Sequence, residues 1–387
     1  CYNGMVKRLL NLFRKKNVYE PLVTVRISKD AILHNIEYFA KLVPQAKLAP
    51  VLKSNAYGHG LLEVATILNN HSAVAFLVVD SLYEARVLRG KGITTNILVL
   101  GYVRPEDILR AAQEFNDVSF TAISLEHVQE LTSRHSYPAP HLALHLKVDT
   151  GMHRQGGSLD ELSEALSLIK GNRNILLEGL CTHLCDADGD DPAFTRGQIA
   201  AWNKARSICD AAYDDIPYYH VAATKGFPFA EEIKANVFRL GIGQHGVSPL
   251  KNENDLIPAL SLETEIASVR NIQAGDSVGY NNTFTATKDM TIATIPVGYF
   301  EGIDRRLSNK GSMLVRNTEC SIIGRVSMNM SSIDVSNVPN VQAGERTVAI
   351  SNDPTAKNSV ANIAALCETI PYDILVHIPS HLKRIVI

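Results

Sequence analysis

Eight short apolar runs, separated by segments of helical period, fill residues 30–247 and constrain the fold more than any single motif. They are Leu48–Leu52, Ala73–Val79, Asn96–Leu100, Asp117–Ala122, Leu142–Val148, Ile175–Thr182, Tyr218–Val221 and Asn236–Ile242. Between most of them lie Leu61–Leu68, Leu82–Leu88, Pro105–Phe115, Leu125–Arg134, Leu159–Ile169 and Thr195–Ala212, each with apolar residues three and four apart. Alternating strands and helices predict a parallel sheet, and eight such units predict its closure into a (β/α)8 TIM barrel. An open doubly wound sheet is the rival, but no G-x-G-x-x-G follows the first run. After Pro249 the texture changes to short alternating runs: Leu260–Val269, Asp276–Tyr280, Met290–Val297, Ser312–Val315, Cys320–Ile323, Met328–Val335 and Arg346–Ile350. Glycines punctuate them, as in a mostly antiparallel β domain. The fold class is therefore α/β, a barrel over 31–250 followed by a β domain over 251–387.

A chain of 387 residues can bury two such cores. Thirty-eight basic against forty acidic residues leave a net charge of −2, which gives no electrostatic reason to expect nucleic acid and favours a small-molecule partner. Six cysteines form no dense framework, so a reducing cytoplasm is expected. No run of about 18 apolar residues predicts stable membrane insertion. Residues 1–20 form a basic extension, in which Met5–Lys16 is amphipathic enough to lie on anionic lipid but too charged for a signal peptide. A solvated extension to a truncated chain is the expectation. Cys181, His183 and Cys185 would share a face of one strand, with Asp186 beside them, yet no second Cys/His pair completes a zinc signature. They are expected to line the barrel, with no metal.

The string Val51-Leu52-Lys53-Ser54-Asn55-Ala56-Tyr57-Gly58-His59-Gly60 sets a lysine where an apolar strand gives way to a polar, glycine-punctuated loop. Barrel enzymes keep their chemistry at that end of a strand. A desolvated amine there can form a Schiff base with an aldehyde such as pyridoxal phosphate. The string closely resembles the lysine motif of alanine racemases, and four further segments extend the resemblance over essentially the whole chain from Val23.

That resemblance implies a role for each matching residue. Lys53 holds pyridoxal 5'-phosphate and serves one face of the substrate Cα. Tyr57, Thr224 and the backbone N–H groups of Gly241 and Ile242 bind the phosphate. In His145–Arg154, Lys147 is a candidate carbamyl-lysine that would hold Arg154 toward the cofactor's phenolic oxygen and the substrate carboxylate. Arg239, in Phe238-Arg239-Leu240-Gly241-Ile242-Gly243, faces the pyridine nitrogen; arginine only donates, so that nitrogen stays unprotonated. Tyr280, in Gly279–Phe284, reaches the barrel mouth of the other subunit of a homodimer and serves the opposite face of Cα. A phenol ionises near pH 10 in water, so it needs help, and His183, bonded onward to Arg239, is the relay. Met328 offers a backbone N–H to the substrate, and Tyr299 narrows the entrance. Residues 21–30 supply a strand that joins the C-terminal β domain.

Two positions depart from the family. Asn329 follows the methionine where an aspartate is usual, which would alter the electrostatics of the entrance. Ser380, in Ile378–Arg384, aligns without gaps to a common tyrosine, which would leave room for a longer substrate. The implied function is interconversion of L- and D-alanine for peptidoglycan. The alternatives are a serine or broad-specificity racemase of the same fold and an amino-acid decarboxylase. The last would want a cysteine and an acidic cluster in the β domain, where Cys320 stands alone, and an acid where Arg239 is.

Overall fold

The computed structural model describes residues 20–133, 142–247 and 255–387. The basic segment Met5–Lys16 and the expected boundary near residue 250 lie outside them. After strand β1 (Thr24–Ile27) comes helix α1 (Lys29–Leu42), capped by the Ser28 hydroxyl, which accepts from the Ala31 N–H at 3.2 Å. Eight strands follow: β2 (Lys47–Pro50), β3 (Leu77–Val79), β4 (Ile97–Val99), β5 (Val118–Ala122), β6 (Leu142–Lys147), β7 (Ile175–Cys181), β8 (Tyr218–His220) and β9 (Val237–Leu240). All pair in parallel in the order β2-β9-β8-β7-β6-β5-β4-β3, and the Leu48–Val74 and Val51–Val78 bridges close the ring. This is the barrel that the apolar runs predict.

The runs are continuous rather than alternating because both faces of each strand are buried. Ala49, Val51, Phe76, Val78, Leu98 and Val237 pack inside the barrel, while Leu48, Leu77, Val79, Ile97 and Val99 join the larger core under the helices. The outer helices are α2 (Leu61–Leu68), α3 (Leu82–Gly90), α4 (Pro105–Glu114), α5 (Leu125–Ser133), α6 (Leu162–Gly171) and α7 (Ala193–Ala212). In α7 the buried residues Thr195, Gln198, Ile199, Trp202, Ala205 and Cys209 recur at helical spacing, and the chain's single tryptophan is fully enclosed.

The second sheet has nine strands in the order β11-β14-β17-β16-β15-β18-β10-β1-β19. Its members after the barrel are β10 (Leu260–Glu265), β11 (Ser268–Ile272), β14 (Met290–Ile295), β15 (Ser312–Val315), β16 (Thr318–Ile323), β17 (Ser331–Asp334), β18 (Arg346–Ile350) and β19 (Lys383–Val386); β12 (Ser277–Val278) and β13 (Phe284–Thr285) form a separate hairpin. Every pairing is antiparallel except β1 with β19. The run Leu260–Val269 is two strands, not one. At Ile266 and Ala267 the backbone N–H groups turn to Glu345 and Thr294 carbonyls, which moves the chain to a different neighbour. Two short helices, α8 (Val360–Leu366) and α9 (Pro371–Val376), complete the domain and have no counterpart among the sequence expectations.

The residues after Lys53 form a single left-handed turn. Ser54, Asn55, Ala56 and Tyr57 all have φ between 50° and 57°, which costs about 1–2 kcal/mol per residue without glycine. Surrounding contacts hold it. Glu84 accepts from the Ser54 N–H at 2.9 Å, and Asn55 Oδ1 accepts from the Leu61 N–H at 2.9 Å. Arg384, from β19, donates through Nε and NH2 to the Gly58 carbonyl at 3.2 and 2.9 Å. Gly58 itself, at φ 80°, lies so close to α9 that a Cβ would sit 2.1 Å from the Leu375 carbonyl oxygen. Gly58→Ala therefore combines left-handed strain with backbone overlap, and should lower unfolding free energy by about 2–4 kcal/mol in denaturant titrations followed by Trp202 emission. A loss within about 0.5 kcal/mol would show that the turn is not clamped.

Candidate active site

At the carboxyl ends of the barrel strands, the sequence-predicted residues assemble around one buried guanidinium. Arg239, on β9, is 2 % exposed and spreads its donors over the ends of the two strands beside it, β8 and β7. NH1 donates to His220 Nδ1 at 2.7 Å and to the His220 carbonyl at 3.0 Å. NH2 donates to the Thr182 and Val221 carbonyls at 2.7 and 2.6 Å and to His183 Nδ1 at 3.1 Å. No carboxylate among the described residues pairs with it. The expected link between His183 and Arg239 is thus present.

Lys53 sits just past β2, where the Val51 and Leu52 N–H groups donate to Leu240 and Val78 carbonyls at 2.8 and 2.7 Å. Burial pushes the His183 imidazole down to about 3, and the positive charges of Arg239, Arg154, Lys147 and Lys53 push the same way. Four cations therefore converge on a neutral histidine, a field that suits an anionic ligand. Beside them, Tyr57 Oη, Thr224 and the start of the Ile242–His245 turn outline a hollow. A Cβ on Gly241 would fill it, lying 2.9 Å from Tyr57 Oη and 4.0 Å from Thr224 Oγ1. Thr224 opens a second short turn, and its hydroxyl accepts from the Gly243 N–H at 3.2 Å. Two hydroxyls and the free N–H groups at two turn starts make a cradle for a phosphate.

Lys147 is buried on β6, and its Nζ donates to Gln155 Oε1 at 2.9 Å. Burial lowers its pKa, and the nearby charges of Arg239 and Arg154 act in the same direction. No hydrogen bond joins it to Arg154, because an ammonium and a guanidinium both only donate. Arg154 is instead exposed at the barrel mouth. Sequence reasoning missed Gln155, whose one signal is that it immediately follows Arg154.

The β-domain candidates lie together. Tyr280 is 67 % exposed and makes no hydrogen bond to a described residue. Gly279 packs on the Gly324–Arg325 backbone, and the Tyr299 and Phe300 N–H groups donate to the Ser327 and Met328 carbonyls at 3.0 and 2.9 Å. Tyr280, Tyr299, Phe300, Met328 and Met330 are all exposed. Asn329 has a local reason: its Nδ2 donates to Glu301 Oε1 at 2.7 Å, where an aspartate would face a second carboxylate.

Ser380 is exposed in a turn after α9, and a ring facing Tyr57, at 5.9 Å between centroids, belongs to Tyr372. One expectation is corrected. Cys185 does not line the barrel, because β7 ends at Cys181 and the chain turns outward; Cys181 is buried and Cys185 exposed. Among the described residues there is no cluster of metal-ligating side chains, and no helix is long and apolar enough to cross a membrane. Cys320 is buried within the nine-stranded sheet.

Several buried histidines here are held neutral. Burial pushes His59 down to about 4, and it stacks on His245 at 3.8 Å. The unfolded chain, whose histidines titrate near 6.5, binds protons that the native state refuses. Stability should be full above about pH 6.5 and decline toward pH 4, by about 1.4 kcal/mol per pH unit for each such histidine. His59→Gln should remove one such increment from the slope of unfolding free energy against pH, measured by denaturant titration between about pH 6 and 5. An unchanged slope would mean that His59 is not a neutral buried group.

Comparisons with known proteins agree with this geometry. The family model described as "Alanine racemase, N-terminal domain" matches residues 27–249, and "Alanine racemase, C-terminal domain" matches residues 259–386. The chain is 34% identical over 378 residues to an alanine racemase of Lactobacillus gasseri, covering 95% of this chain and 98% of that one. It is 32% identical over 369 residues to one from Methanococcus maripaludis, covering 94% and 98%. The crystal structure of the Bacillus anthracis alanine racemase, with bound L-Ala-P, superposes with a TM-score of 0.85 at 31% identity, over 95% of this chain and 96% of that one. Both halves of the chain and the barrel-mouth constellation therefore place it in the alanine racemase family of pyridoxal-phosphate-dependent isomerases.

Proposed function

We propose that the chain is an alanine racemase that interconverts L- and D-alanine as a homodimer, with pyridoxal 5'-phosphate at the mouth of the 31–250 barrel and the 251–387 domain completing the partner's site. The observation that carries this reading is the convergence of Lys53, Lys147, Arg154 and Arg239 on His183, beside a hollow that a Cβ on Gly241 would fill. The residues fit the cofactor: Tyr57, Thr224 and the N–H groups of Gly241 and Ile242 would hold the phosphate, Arg239 the ring nitrogen and Lys53 the aldehyde carbon. When bound there, pyridoxal phosphate supplies an aromatic ring that spreads the charge left at Cα when a proton departs.

The chain's own groups do the rest. Lys53, on a turn held from three sides, would hold or release a proton at its Nζ on one face of Cα. Arg154, exposed at the mouth, would orient a substrate carboxylate, joined by the backbone N–H of Met328 from the partner. Tyr280 of the partner subunit would serve the opposite face. His183 accepts from Arg239 at Nδ1, so a neutral ring carries its proton on Nε2 and can donate it to a phenolate. The exposed apolar set of Tyr280, Tyr299, Phe300, Met328 and Met330 supports a second copy as the covering surface.

Incubating the purified protein with L-alanine in deuterated water should exchange the Cα proton and yield D-alanine, with L-serine turned over more slowly. Exchange of serine at an equal or greater kcat/KM would make the broad-specificity reading correct instead. Lys53→Ala and Tyr280→Ala should each be inactive. A two-fold dimer formed from one of each carries both lesions in one site and neither in the other, so activity should return to about half of wild type per heterodimer. Verified subunit exchange without recovered activity would place Tyr280 outside the partner's site.

A further inference from the structure

Behind Arg239 the hydrogen bonds run on into the barrel and have only one possible sense. A guanidinium offers donors alone, so His220 Nδ1, 2.7 Å from NH1, must present its lone pair. A neutral His220 then carries its proton on Nε2, which lies 2.8 Å from His145 Nδ1. The same reasoning leaves the His145 proton on Nε2, 3.2 Å from Glu178 Oε2. Glu178 also accepts from the Ser119 hydroxyl. Both histidines are wholly buried, and burial pushes each down, so neither carries a charge near neutrality. Burial alone would raise the Glu178 carboxyl, but the bonds from His145 and Ser119 outweigh it and hold it below the ordinary range.

The backbone is shaped for this arrangement. Pairing of β6 with β7 runs in register to Leu144 with Leu177, then resumes at His145 with Gly179, leaving Glu178 as the extra residue of a bulge. A bulge of this kind re-aims a side chain. Gly179 makes the space, since a Cβ there would lie 2.4 Å from His145 Nδ1.

We propose that Glu178 is a positioning residue that fixes both His145 and His220 as Nε2–H tautomers and so gives Arg239 a standing acceptor. A carboxamide at 178 could instead donate to His145 Nε2. Both imidazole protons would then sit on Nδ1, and the His220 N–H would confront the Arg239 N–H. That Arg239 holds the cofactor ring rests on the function proposed above; the tautomers themselves do not.

The test is nitrogen NMR of the holoenzyme with 15N-labelled histidine, signals being assigned from His145→Asn and His220→Asn. The wild-type protein should show Nε2–H for both rings at neutral pH. A cationic ring or an Nδ1–H tautomer at either position would overturn the proposal, and this reading needs no Glu178 variant to fold. Glu178→Gln should shift at least one ring to Nδ1–H and lower kcat for alanine by about tenfold with KM little changed, the scale of one charge-assisted hydrogen bond. Unchanged tautomers with unchanged kcat in that variant would also overturn it. If the wild type shows both Nε2–H rings but does not racemise alanine, the proposed function fails while the role of Glu178 stands.

Discussion

A permanently charged guanidinium buried in a barrel is the constraint on which the rest of the site depends. Leaving such a group unpaired would cost several kcal/mol, and no carboxylate among the described residues touches it. Arg239 is satisfied by three backbone carbonyls and two imidazoles, drawn from the ends of β7 and β8 and the residues just after them. Three adjacent strand ends must keep their relative height for those distances to hold. The parallel register of the barrel and the polar geometry of its mouth are thus one requirement.

The same logic explains why the barrel mouth is crowded with histidines that do not titrate. Each imidazole that accepts from Arg239 must be neutral, and the low polarity that strengthens these bonds is also what keeps the rings uncharged. His183 accepts at Nδ1 and keeps its N–H on Nε2, whereas His220 passes the polarity inward. One cation therefore sets the direction of hydrogen bonds on two sides.

Much of this architecture is legible in the sequence. Seven of the barrel's apolar runs match a strand to within about two residues at each end, and the second, Ala73–Val79, narrows to Leu77–Val79 with its start reduced to a bridge at Val74. The residues of the barrel mouth stand out because strand ends carry a barrel's chemistry. Helix α1 escapes such a reading because Asn35 occupies its buried face, bonding to Gln244 and Ile257 backbone, and breaks the apolar stripe. The left-handed turn is invisible because Ser54 to Tyr57 contains no glycine; distant partners impose it. The Glu178 contact is hidden by the bulge, since counting in twos along β7 cannot anticipate an extra residue.

The clamp on that left-handed turn has a consequence for the order of assembly. Arg384 and the Leu375 carbonyl come from elements made well after the barrel, yet they shape the backbone beside Lys53, in the first barrel unit. β19 also closes the second sheet by pairing with β1, among the earliest strands made. A chain can wrap all eight barrel strands and still lack the Arg384 bond and the α9 contact that lock the turn after Lys53. The shape of that turn is therefore finished only when the second domain folds back on the barrel.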